Sequence, residues 1–189
     1  ASPRGLNTLA NKSFLTRTPS GRFEIHELLR QYAEEQLKTF EVSETSKVYS
    51  RHSDFYLEWL HQKESELKDR RQLDALAEMD SEIENARAAW TRALSSNRLE
   101  RVAPATDALM LFFSLRGRLT EGEGLCQESV GLANLAPHPV LRAQILAWKN
   151  HFAGQLGRTR EVEAALQQCL DLLKLADDSA EARSVKAFA

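Results

Sequence analysis

The side chains of this chain best suited to moving protons or binding metals are five histidines and two cysteines, and their spacing decides what they could do. Glu58-x-x-His61 puts a carboxylate and an imidazole on one helix face, half of what a di-iron helical bundle requires. With no second copy, it reads as a solvated surface pair. His52 and His61 fall on a helix striped with aromatics and His151 stands beside Phe152, positions that suit hydrogen-bonded or solvent-facing packing histidines. Cys126 and Cys169 are far apart, without metal-type spacing, and each lies on the apolar side of a helical pattern, as reduced core thiols do. No nucleophile elbow and no H-E-x-x-H pair occurs. The eight glycines form neither G-x-x-x-x-G-K-[ST] nor G-x-G-x-x-G, so the usual backbone nests for phosphate are missing. Without an acid, base and nucleophile in one constellation, the chain reads as non-catalytic, with no metal site and no cofactor of its own. That leaves His26, which stands where an extended run meets a helical one.

The elements that would hold these residues are mostly helical. Lys12 to Arg17 and Arg22 to His26 are short extended runs around Thr18-Pro19-Ser20-Gly21, which predicts one tight hairpin near residues 12–26. From Ile25 through Leu28, Leu29, Tyr32, Leu37 and Phe40 the apolar spacing becomes three and four, predicting a helix that ends near residue 40. Only Leu6 to Asn11 precede the hairpin, too few for the earlier helices of a larger domain. After a polar connector, Glu41 to Ser46, helical periodicity continues almost unbroken. Val48, Phe55, Tyr56, Trp59 and Leu60 form one stripe; Leu73, Leu76 and Met79 form a short second one. Ser81-Glu82-Ile83-Glu84 then resembles a capping box opening a new helix through Trp90 and Leu94. A helix is expected from Leu99 to Leu115, with Pro104 kinking it or delaying its start. Trp59, Trp90 and Trp148 suit core anchors rather than a base-stacking platform.

The second half repeats. Leu115-Arg116-Gly117-Arg118-Leu119-Thr120-Glu121 returns as Gln155-Leu156-Gly157-Arg158-Thr159-Arg160-Glu161, forty residues later. In each copy a helix ends at a glycine suited to positive φ and another begins at once, the first through a capping box from Thr120 to Glu123. Pro139 after His138 suits the first turn of a further helix. Helix pairs at this period stack as a solenoid.

Composition agrees with a soluble, folded chain: 42% of its 189 residues are hydrophobic, 28% are charged and the net charge is −2, so no global field draws it to nucleic acid or membrane. No run approaches the roughly 18 apolar residues of a membrane span, and no signal pattern opens the chain. A cytoplasmic location is expected. The chain opens at Ala1 and stops at Phe188-Ala189 inside a helical pattern, as a piece of a longer protein would.

The segment from Gly21 to Ala33, with Ile25-His26-Glu27 at its centre, resembles the end of the winged-helix domain of STAND-class signalling ATPases, which include the NB-ARC proteins and many bacterial regulators. There a Met-His-Asp or Met-His-Glu triplet follows the wing. The resemblance implies that His26 contacts the β-phosphate of ADP held by a neighbouring ATPase domain of the same protein, with Ile25 keeping the apolar anchor. Weaker likeness extends through Arg51-His52-Ser53-Asp54-Phe55-Tyr56-Leu57 and the Glu84-Asn85-x-Arg87-Ala88-Ala89-Trp90 core towards tetratricopeptide-like repeats. The expectation is therefore a mainly α chain: a winged-helix remnant with one hairpin at 1–41, a linking helical region at 47–97, and a tetratricopeptide-like solenoid, cut short, at 98–189. Its implied role is a non-catalytic regulatory and interaction region of a STAND-type signal-transduction ATPase, possessing a protein or peptide partner on the repeats. ADP or ATP belongs to the parent protein. The competing class is a winged-helix DNA-binding transcription factor, whose recognition helix would precede the wing; nucleic acid is the less favoured partner.

Overall fold

The structure, a computed structural model, describes residues 2–18, 21–39, 42–174 and 180–188. Among them are nine α-helices and one antiparallel two-stranded hairpin, and the chain divides into compact units at 1–48 and 49–189.

In the first unit α1 (Pro3–Asn11) opens where the Ser2 hydroxyl accepts from the Gly5 N–H at 3.2 Å, with proline in the first turn where its missing N–H costs nothing. A single helix therefore precedes the hairpin, in the stretch too short for all the earlier helices of a larger domain. Ser13, at φ +59°, turns the chain into β1 (Leu15–Arg17), which pairs with β2 (Phe23–Ile25) in the register Leu15↔Ile25 and Arg17↔Phe23. The hairpin is where it was expected, and Gly21 takes the positive φ of +82° its turn needs. Then α2 spans Glu27–Thr39 and α3 spans Val42–Leu67; Phe40 and Glu41 lie outside the described residues. The expected polar connector to Ser46 is thus helical from Val42. Glu44 sits in the favourable first turn and pairs with Lys47 at 2.6 Å, while Thr45 Oγ1 donates to Leu37 O at 2.8 Å. No described residue from 2 to 48 is fully buried.

In the second unit α3 is followed by α4 (Gln72–Ser95), α5 (Leu99–Leu115), α6 (Leu119–Val130), a 3₁₀ turn (Ala133–Leu135), α7 (Pro139–Gln155), α8 (Thr159–Lys174) and α9 (Ala180–Phe188). The face α3 buries is Ser53, Leu57, Leu60 and Leu67, whereas Phe55 and Val48 of the expected stripe are exposed. Lys63 lies on the same buried face, its ammonium on Glu66 and Glu78 at 2.6 and 2.5 Å.

Two capping boxes are absent. Ser81 lies inside α4, its hydroxyl donating to Glu78 O at 2.7 Å, because Leu76, Met79, Ile83, Ala86 and Trp90 form a single buried stripe that packing keeps helical. Thr120 is likewise inside α6: the helix begins at Leu119, and Arg118 before it forms a fork on Glu121 at 2.7 and 2.6 Å. Pro104 does not delay α5 either, since the helix starts at Leu99 and runs through it. The core cost of unwinding the flanking Val102, Ala105 and Leu109, all buried, exceeds that of one lost backbone bond.

Three of the turns between helices are copies of one geometry. Gly117 and Gly157 have φ +66° and +81°, and Asn97, at +59°, is a third copy the glycine pattern did not show. In each the following arginine N–H reaches five residues back: Arg98 to Ala93 O, Arg118 to Phe113 O and Arg158 to Ala153 O, all at 2.9 Å. This is the Schellman closure of a helix end. Helices α5 to α8 start every twenty residues, at 99, 119, 139 and 159. The main core gathers Trp90, Phe112, Phe113 and Phe152, and Gly122 of α6 lets the Phe152 ring approach so closely that a Cβ there would lie 2.5 Å from it. A second cluster joins Ala143 and Leu146 of α7, Cys169 and Leu173 of α8, and Ala182 and Val185 of α9.

Candidate functional site

His26 occupies the residue before α2, and its ring closes the helix end: Nδ1 accepts from the Leu28 N–H at 3.3 Å while its carbonyl accepts from the Arg30 N–H at 3.0 Å. An Nδ1 that accepts leaves the neutral ring's proton on Nε2, free to donate. The side chain is exposed. Next to it, the Arg30 guanidinium holds the Glu27 carboxyl down to about 2, aided by Gln31. Exposed Ile25, Leu28 and Tyr32 flank it on the surface.

The larger concavity lies in the second unit, a groove of about 980 Å³ lined by α3, α5, α7, α9 and the turns that lead into α5 and α7. The even-numbered helices α4, α6 and α8 contribute no lining residue. Its floor is apolar, with Leu99, Ala103, Leu141 and Val185, and its charged residues are Glu64, Glu100 and Asp107, with no lysine or arginine. Asp107 is fixed from α7: its Oδ1 accepts from Trp148 Nε1 at 2.7 Å and from Gln144 Nε2 at 3.0 Å. His61 donates from Nδ1 to Pro104 O at 3.2 Å and so forms part of this wall. Glu58, its helix-face companion, accepts instead from Gln62 Nε2 at 3.1 Å. Among the described residues no three His, Cys, Asp or Glu converge as metal ligands.

One helical heptad further along the same seam, Ser114 Oγ lies 2.9 Å from His151 Nε2, and Gln155 Nε2 lies 2.6 Å from that nitrogen and 3.2 Å from the hydroxyl. A serine beside a histidine is the start of a nucleophile and base. Here Ser114 is inside a helix whose amides are committed to the backbone ladder, and among the described residues no carboxylate hydrogen-bonds the ring. The cluster serves instead as a polar clasp between α5 and α7, covered by Trp148 and by Phe188 with ring centroids 4.6 Å apart. Burial pushes the His151 pKa down, so the ring is neutral near pH 7.

Sequence reasoning missed this seam. The signal was there as paired heptads, Asp107 with Ser114 and Gln144 with His151, but it becomes visible only once α5 and α7 are known to lie side by side. His52 packs its ring 4.8 Å from Tyr56, and burial, with Arg92 nearby, lowers its pKa. Trp90 and Trp148 are core residues, as expected, and Trp59 is partly buried against the same core. Both thiols are buried; burial pushes Cys169 up to about 11 and Cys126 further, so neither is a thiolate near neutral pH.

No family model, curated protein or solved structure matches this chain. No helix among the described residues is long and apolar enough to cross a membrane.

Proposed function

We propose that residues 49–189 are a tetratricopeptide-like docking module for another protein, within the regulatory region of a STAND-type signalling ATPase that works in the cytoplasm. The observation that carries the docking role is the groove lined by alternate helices, α3, α5, α7 and α9. Helix pairs stacked at a fixed period leave one layer of helices to form a continuous concave face. Selection of random dodecapeptides on the intact chain tests it. Bound peptides should be displaced by Ala103→Trp, which fills the groove, and be indifferent to Leu170→Ser on the exposed side of α8. Peptides indifferent to Ala103→Trp, or no bound peptides at all, would sink the reading.

The hydrogen bond from Leu28 favours a second role, for His26. With Nδ1 engaged, Nε2–H is the donor that an ADP phosphate bound by the parent's ATPase domain would meet. His26→Asn separates sensing from structure, because asparagine also caps a helix. In the parent it should weaken ADP binding about 5- to 150-fold while leaving the melting of residues 1–189 unchanged. Unchanged ADP affinity with lowered melting would make the residue structural only. The DNA-binding alternative gains less support, since α1, the helix before the hairpin, carries Arg4 as its only basic residue.

A further inference from the structure

Resting on the docking role just proposed, we infer that the groove takes a basic peptide segment of a partner protein in an extended, polyproline-like conformation, with two cationic side chains three residues apart. The groove walls supply carboxylates and no opposing cation. Glu64 is neutralised by Lys68 at 2.5 Å. Glu100, exposed in the first turn of α5, has no ionic partner among the described residues, and Asp107 spends only Oδ1 on Trp148 and Gln144, which leaves Oδ2 open. Those two bonds also hold the carboxylate in place, so a ligand need not order it. Glu100 and Asp107 are seven residues apart on one helix, which places them about 10 Å apart along its axis. A polyproline-like strand repeats its side-chain direction every third residue, about 9 Å. An Arg-x-x-Arg segment therefore brings both guanidinium groups to the two carboxylates on one side, while the residues between meet Leu99, Ala103 and Val140.

Fluorescence anisotropy with two labelled dodecapeptides tests this, identical in their alanine, leucine and proline positions but bearing Arg-x-x-Arg in one and Glu-x-x-Glu in the other. The arginine peptide should bind at least about tenfold more tightly, and Glu100→Gln and Asp107→Asn should each erase about tenfold of that preference. Asparagine keeps the acceptor for Trp148, and Glu100 is a surface position, so its variant reports even where Asp107→Asn fails to fold. Equal binding of both peptides, or preference for the glutamate peptide, overturns the basic-segment inference. The docking role survives that result when Ala103→Trp still blocks binding. No binding by either peptide overturns the inference, and the unbiased selection then judges the docking role separately. Self-association of the chain that Glu100→Gln abolishes would assign the groove to a second copy and likewise overturn the inference.

Discussion

Residues 2–48 and residues 49–189 solve the same problem by different means. In the first stretch order comes from local bonds: the Ser2 cap, the three-residue hairpin, His26 closing α2 and the Glu27–Arg30 pair, with no described side chain fully removed from water. In the second, Trp90, Phe112, Phe113 and Phe152 are wholly buried, and the helices are held by what they cover. Caps and backbone hydrogen bonds of this kind contribute about 1 kcal/mol each, the water-screened Glu27–Arg30 pair adds little, and a fully buried large side chain contributes about 1.5–3 kcal/mol. The first stretch is therefore the one that would gain most from an external surface, and Leu28 and Tyr32 are the most exposed of its large apolar side chains.

The sharpest way to break that contrast is Trp90→Ala, which removes a fully buried ring and should cost about 3–5 kcal/mol in urea denaturation of the second unit. A cost under about 1 kcal/mol would mean that the core is not what holds it. Next comes Gly122→Ala. Helix propensity alone would favour alanine by about 1 kcal/mol, but its methyl meets Phe152 at 2.5 Å and the Phe113 Cβ at 3.0 Å, so a net loss of about 1–3 kcal/mol is expected. A stabilised variant would show the ring can move.

The repeated turns give a smaller effect. Gly157→Ala should cost about 1 kcal/mol, and Asn97→Gly should be neutral or slightly stabilising; equal losses at both would deny that the turns are equivalent. Acid provides a graded test. His151 has a folded-state pKa below its ordinary 6.5, so the unfolded chain takes up the proton first. The stability that neutral His151 contributes is full above about pH 6.5 and lost as pH falls through the folded value. His151→Gln should flatten the decline of melting temperature between about pH 7.5 and 5, and an unchanged slope would remove His151 from the account. Smallest of all, Leu28→Ala should change the chain's stability by less than about 0.5 kcal/mol, its side chain being 68% exposed.

Where the sequence was legible, a backbone requirement had written itself into residue type. Leu99–Leu115 and the start at Pro139 match the apolar spacing and the proline, and Gly117 and Gly157 have the positive φ their type suggested. Asn97 carries the same geometry, but asparagine enters that region without announcing it. The false starts at Ser81 and Thr120 share one cause: a capping pattern is only a few residues long, and burial on both sides of it decides whether the helix stops. On α3 the expected stripe holds only in part: Leu60 is buried, but Phe55 is exposed while smaller Ser53 is buried. Of the site, His26 could be singled out from the motif around it, whereas the groove depended on which helices become neighbours.

The even beat of helix starts sets a rule of parity for how this chain can change length. Successive helices alternate between the layer that faces the groove and the layer behind it, so gaining or losing one twenty-residue step would exchange the two layers for everything downstream. Faces that line the groove would become backing, and backing would become groove. A forty-residue step preserves both. A gain or loss of two helices would thus keep the groove's layering, whereas a single inserted helix would reverse it downstream.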